Sequence, residues 1–223
     1  MNKFRFGKYR ETDLMSDLIS ENYPALLVLS RFGIALGFGN RSIGEVCRNN
    51  DVDTNTFLAI INLMVMENQA TASADVRISL ESLVKYLHNS HDYFLNYRLP
   101  EIRKKLIEVL NEDQADLNKA VLEYFDKFVV EVKKHMLYEN KKVFPFVKDL
   151  PEDEKKEKYA GGFSKQHEQI EMRLTEFKNI LIKYYPVQST NEINSVLFDI
   201  FNCEKELILH NAIEDYLFLP SIL

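Results

Sequence analysis

One short pattern occurs twice in this 223-residue chain and limits what its second half can fold into. His135 and Glu139 are followed by Phe144-Pro145, and His210 and Glu214 by Leu219-Pro220, so His-x3-Glu-x4-apolar-Pro repeats at an offset of 75 residues. On a helix, a spacing of four places an imidazole and a carboxylate on one face. A single histidine precedes each pair, His91 by 44 residues and His167 by 43. Each half of the repeat therefore reads as a helix with one His, a loop, and a helix with His and Glu.

Composition supports helices as the carrier. With 7 Gly and 6 Pro against 15 Phe and 11 Tyr, the chain has few obligatory turns and much apolar material, which points to an all-α fold. Four long helical patterns run over 79–110, 114–147, 163–185 and 190–218. They are separated by Asn111-Glu-Asp, by Pro151 to Lys158 with Gly161-Gly162, and by Pro186 to Thr190, where Ser189, Thr190 and Asn191 can all cap. Short connections favour an antiparallel up-down four-helix bundle. Upstream, Asp13–Ser20 and Ala25–Phe32 are apolar at helical spacing, and Gly33, Gly37 and Gly39 break the chain. Ser42 and Glu45 then have capping-box spacing, and Asp53–Met66 makes one more helix. The small, polar segment near 67–77 sets the expected boundary between a small N-terminal helical domain (1–72) and the bundle (78–223).

The net charge of −6 argues against nucleic acid and anionic membranes as partners. Cys47 and Cys203 make neither a disulfide framework nor a CxxC pair, and the charged N-terminus lacks the apolar core of a signal peptide. A cytoplasmic location is expected.

Helical phase places the His and Glu side chains. The apolar seam runs through Leu80, Val84, Leu87, His91, Phe94, Ile102 and Leu106 on the first long helix. On the second it follows Val121, Phe125, Phe128, Val132, His135, Glu139, Val143 and Phe146. On the third it is Phe163, His167, Ile170, Leu174, Phe177, Leu181 and Tyr184, and on the fourth Val196, Ile200, Cys203, Leu207, His210, Glu214 and Leu217. Height agrees as well. His91 and His135 lie about twenty residues either side of their loop, and His167 and His210 nearly symmetrically about Pro186, so at ~1.5 Å per residue the levels differ by only a few ångströms.

Four imidazoles and two carboxylates at one depth of an apolar interior would each need a partner, a missing one costing ~1–3 kcal/mol. A bound cation satisfies them together. Imidazole and carboxylate without thiolate disfavour a structural zinc site, and six ligands are too many for one tetrahedral ion. Two ions are implied, with iron favoured over manganese, an oxo or hydroxo bridge between them, and vacant positions for dioxygen, nitric oxide or peroxide. His88, three residues before His91, lies at the flank of the seam and suits a supporting or solvent-edge role better than ligation. Tyr86, Tyr93, Tyr138 and Tyr216 read as packing residues, and Cys203 as a small core residue.

These residues resemble the hemerythrin-like family, with its two His-x3-Glu helices and two single-His helices. More narrowly the chain is similar to the bacterial di-iron proteins of iron-sulfur cluster repair, over nearly its whole length. The segments NSHDYFLNYRLPEI, HMLYENKKVFP, SKQHEQIE and HNAIEDYLFLP carry the likeness, and the first selects His91 over His88. The N-terminal segment YPALLVLSRFGIALGFGNRSIGEVC adds Gly33, Asn40 and Cys47, but has Gly37 and Phe38 where many members carry adjacent cysteines.

The resemblance implies a cytoplasmic non-haem di-iron protein that restores iron-sulfur clusters damaged by nitric oxide or peroxide, by iron release or by nitric oxide reduction. His91, His135, His167 and His210 would be terminal ligands, and Glu139 and Glu214 bridges. Expected partners are a diatomic ligand and damaged iron-sulfur proteins, with the subunit number, monomer or dimer, left open. The alternative is a hemerythrin-like sensor or carrier of oxygen or nitric oxide. A metal-free helical interaction protein is the third class.

Overall fold

The computed structural model describes residues 9–65, 77–110, 114–146, 163–186 and 190–222. The expected breaks at 111–113 and 151–162, Ser189, and nearly all of the 67–77 segment lie outside the described residues. The fold is all-α: among the described residues there is no strand, only one antiparallel bridge between Leu14 and Ser42. No helix among them is long and apolar enough to cross a membrane. Packing divides the chain into two compact units, the described residues of Met1–Ser90 with Ala212–Ile222, and those of His91–Asn211.

The first unit begins with four short helices, α1 (Met15–Glu21), α2 (Ala25–Phe32), α3 (Ile43–Asn49) and α4 (Thr54–Val65). Their ends are set by local chemistry. Gly33 ends α2 in the left-handed region (φ 73°), where an L side chain would be strained, and the amide of Ile34 donates back to the Leu29 carbonyl at 2.9 Å. Ser42 and Glu45 form a reciprocal capping box that opens α3 and holds the Glu45 carboxyl below its ordinary range. Asp53 accepts the Thr56 amide at 2.8 Å at the start of α4. Phe32 packs on Phe57 and on Tyr86, with ring centroids 5.6 and 4.8 Å apart. Asn89 donates to the Arg31 carbonyl at 2.7 Å.

Burial explains the chemistry of Cys47. Its side chain is enclosed in this unit, and desolvation pushes the thiol up to about 12. A neutral, enclosed thiol is neither a nucleophile nor a metal ligand at physiological pH. Cys203 is likewise buried, in the core of the second unit. Neither thiol is expected to react with an aqueous thiol reagent at neutral pH until denaturant is added. Rapid labelling of Cys47 in the native protein would contradict its placement.

The second unit is built on four long rods. The first is the end of α5 (Leu80–Tyr93), from His91 on, continued as α6 (Leu99–Val109); the others are α7 (Ala115–Tyr138), α8 (Phe163–Lys183) and α9 (Asn191–Ile213), the last as far as Asn211. Phe94, Ile102, Phe125, Phe128, Phe177 and Ile200 are among the residues of its apolar core. Phe125 and Phe177 meet at 5.2 Å between ring centroids, joining α7 to α8. Ion pairs tie the rods on their outer faces: Arg103 binds Asp126 through two nitrogens at 2.7 and 3.0 Å, and Arg98 reaches Asp199 at 3.1 Å and Glu206 at 3.0 Å.

The rods are not plain α-helices. Three π-helical turns interrupt them, at Phe94–Arg98, Glu139–Val143 and Glu214–Phe218, the last leading into α10 (Leu219–Ile222). Each closes with an amide bonding five residues back: Leu99 to Phe94, Phe144 to Glu139, Leu219 to Glu214. Each is followed at the same distance by proline, at Pro100, Pro145 and Pro220. Proline lacks the amide and its ring collides with the carbonyl four residues back in a regular helix, so a widened turn just before it relieves the clash.

The extra residue shifts the helical phase and corrects the seam. Leu217 is only partly buried and Phe218 takes the interior position; Leu99 and Phe144 are buried for the same reason. Tyr184 is a second correction. It is 72% exposed, and Tyr185 is buried instead. Helix α8 stops at Lys183, the Tyr185 amide bonds back to Ile180, and the Tyr185 hydroxyl donates to Asn118 at 2.6 Å. Leu80 and Val84 are partly buried, with Leu83 fully enclosed beside them; Phe146 and Phe163 are outside the residues whose side chains are described.

Candidate metal centre

Each rod of the second unit contributes a buried histidine. His91 lies in the last turn of α5, His135 in the last turn of α7, His167 near the start of α8, and His210 in the last turn of α9. Glu139, the first residue of the π turn after α7, is wholly enclosed. Each side chain is carried in by the heptad-like steps of its own rod, because the apolar residues one and two turns away have to face the core.

Glu139 is the hub. Its Oε1 faces His135 Nε2 at 3.2 Å and His167 Nε2 at 4.0 Å, while its Oε2 faces His91 Nε2 at 3.5 Å. His91 Nε2 in turn faces His210 Nε2 at 3.0 Å. One carboxylate thus presents one oxygen to the His135–His167 pair and the other to the His91–His210 pair. The ring pairs stand edge to face, with centroids 5.0 Å apart for His135 and His167 and 4.9 Å for His91 and His210. The ligand atoms of His135, Glu139 and His167 all lie within 4.8 Å of one another, close enough for a single ion to reach all three.

Glu214 is completely buried and opens the π turn that follows α9. It lies one turn beyond His210 on the same continuous helix, so the two side chains share a helix face. The repeat seen in sequence is therefore also a repeat in backbone form, since both acids begin a π turn and both turns end ahead of Leu-Pro or Phe-Pro.

The surroundings hold the rings in place. His91 Nδ1 meets Asn140 Oδ1 at 2.8 Å, and the ring stacks on Phe144 at 5.5 Å between centroids with planes 20° apart. His135 Nδ1 meets Gln166 Oε1 at 3.1 Å. Asn211, beside His210, donates to Glu171 at 2.6 Å, tying α9 to the turn of α8 after His167. Phe144 is the apolar residue of the sequence repeat, whereas the only sequence signal for Asn140 and Gln166 is adjacency, Asn140 following Glu139 and Gln166 preceding His167.

Other residues fall where their phase suggests. His88 is partly buried and belongs to neither of the two His/Glu groupings among the described residues that could hold a metal ion. Tyr86 is buried and Tyr93 partly so, in agreement with packing roles, whereas Tyr138 and Tyr216 are exposed and do not pack in the interior.

The donor set decides what fits. Imidazole nitrogens with carboxylate oxygens, and no thiolate, suit a borderline divalent cation such as iron or manganese rather than copper(I) or a structural zinc. The two histidine pairs face opposite oxygens of one carboxylate, and the His/Glu groups among the described residues could hold a metal ion. Residues 82–222, well over half of the chain, match the family model described as the hemerythrin HHE cation-binding domain. No curated protein matches the chain.

Proposed function

We propose, since the chain belongs to the hemerythrin HHE cation-binding family, that it holds two iron ions and serves in the repair of iron-sulfur clusters damaged by nitric oxide or peroxide. The observation that carries the di-iron reading is the division of Glu139, with Oε1 toward His135 and His167 and Oε2 toward His91. In this reading His135 and His167 would hold one ion and His91 and His210 the other, with the carboxylates of Glu139 and Glu214 as ligands shared by both. The bound pair supplies exchangeable iron and open positions for a diatomic molecule.

The protein's own residues do the rest. Helix phase turns the four rings toward the centre, and Asn140 and Gln166 hold those of His91 and His135, so little ordering of these two is left to accomplish on loading. Enclosure of His91 and Glu139 keeps bulky reductants and substrates away and leaves the site to small molecules and metal exchange. Support for the repair role comes from the four ligand segments together with the N-terminal segment around Gly33, Asn40 and Cys47. Burial of the Cys47 thiol fits a reading in which the metal chemistry lies in the bundle.

The test is anaerobic. Iron-loaded protein is incubated with a [4Fe-4S] dehydratase inactivated by nitric oxide, and dehydratase activity is followed. Recovery well above that given by the metal-free protein or by free ferrous iron is expected. No difference between the loaded and metal-free forms would contradict the repair role. Reversible binding of dioxygen or nitric oxide without any recovery would assign the protein to sensing or carriage instead.

A further inference from the structure

The π turn after Glu139 grips a histidine of another rod from three directions. Glu139 Oε2 lies 3.5 Å from Nε2 of His91, Asn140 Oδ1 lies 2.8 Å from Nδ1, and the Phe144 ring lies flat against the imidazole. All three come from one stretch of eight residues, 139–146. In a regular α-helix, consecutive residues diverge by about 100°, which makes it hard for two neighbours to reach one ring. The wider π turn brings Glu139 and Asn140 closer in direction, so both reach His91.

The chemistry at Nδ1 follows from the atom that meets it. A carboxamide oxygen only accepts, so the hydrogen bond requires that Nδ1 carries the proton. That leaves Nε2 with its lone pair aimed at the centre, the form a metal needs. The acceptor is also neutral. A carboxylate in its place would pull the Nδ1 proton harder and make the ring a stronger donor to the metal; an amide fixes the tautomer without that added charge.

We propose that Asn140 is a positioning residue that locks His91 in its Nδ1–H tautomer before any metal arrives, and so sets how long the ion on the His91–His210 side is retained. Gln166 plays the same part for His135 in a weaker form, through a longer contact from an exposed side chain. The proposal rests on His91 being a ligand, and the test separates the two ideas.

The tautomer is read first in metal-free protein labelled with 15N-histidine at about pH 8, above the ordinary imidazole range. His91, assigned by its loss in His91→Gln, is expected as a single Nδ1–H form, and as a mixture in Asn140→Ala. Iron loss to a chelator is then followed in loaded protein. Asn140→Ala is expected to release iron about tenfold faster, and Asn140→Asp, which keeps the acceptor, to release it no faster than the parent.

Asn140→Ser, whose hydroxyl is too short to reach, repeats the alanine test should that variant fail to fold. A tautomer and a release rate both unchanged in Asn140→Ala overturn the proposal, and so does Asn140→Asp losing iron as fast as Asn140→Ala. If the parent binds no metal, the ligand reading fails, while the tautomer measurement still decides the role of Asn140.

Discussion

Glu139→Ala is expected to cost the protein most of its metal. The substitution deletes a group whose two oxygens face both histidine pairs, leaving each pair with no carboxylate from the π turn after α7. Loss of an oriented hydrogen-bonding partner alone weakens a site by 10–100-fold, on the order of 1.4–2.8 kcal/mol, so loss of a proposed ligand is expected to exceed that. The effect also reaches stability. A cation that binds only the folded chain stabilises it by about 2.7 kcal/mol when present at a hundred times its dissociation constant. Adding ferrous iron anaerobically should therefore raise the melting temperature of the parent and leave that of Glu139→Ala nearly unmoved. Equal iron content and an equal thermal shift in both proteins would remove Glu139 from the site.

Phe177→Ala is the second large effect, and it concerns the scaffold. Phe177 is fully buried on α8, packs on Phe125 at 5.2 Å and stacks with Tyr124 at 5.9 Å between ring centroids. Truncating such a ring removes its burial and leaves a cavity that rigid helices cannot close, a loss of about 3–5 kcal/mol. Urea unfolding of metal-free protein, followed by helical circular dichroism, measures it without contribution from ligation. A loss under about 1 kcal/mol would mean that the α7–α8 packing is not as described.

Much of this was legible in the sequence, for a specific reason. His91, His135, Glu139, His167 and His210 sit at three- and four-residue steps from core residues, and a buried helix face dictates those steps, so phase alone carried the five into the interior. Ser42 with Glu45, and the breaks at Gly33 and Pro186, were readable because capping and helix termination depend on a few adjacent residues.

The departures have a common origin in turns that are not α. Leu217 lost the interior to Phe218, and Leu99 and Phe144 gained it, because a five-residue turn advances the phase by one. The proline six residues beyond Phe94, Glu139 and Glu214 was the visible sign, yet reading it as a π turn requires knowing that the helix continues past it. Tyr185 replaced Tyr184 through a backbone bond to Ile180 that no periodicity foretells. Asn140 and Gln166 were invisible for another reason: an amide next to a candidate ligand has no spacing of its own.

The proposed centre is two ions held by one set of histidines and glutamates. Its most direct test is an anaerobic titration of metal-free protein with ferrous iron, with metal and protein quantified after removal of unbound iron. A sharp end point near two ions per chain is the expected result. An end point at one ion or fewer, or the same end point in Glu139→Ala, would contradict it.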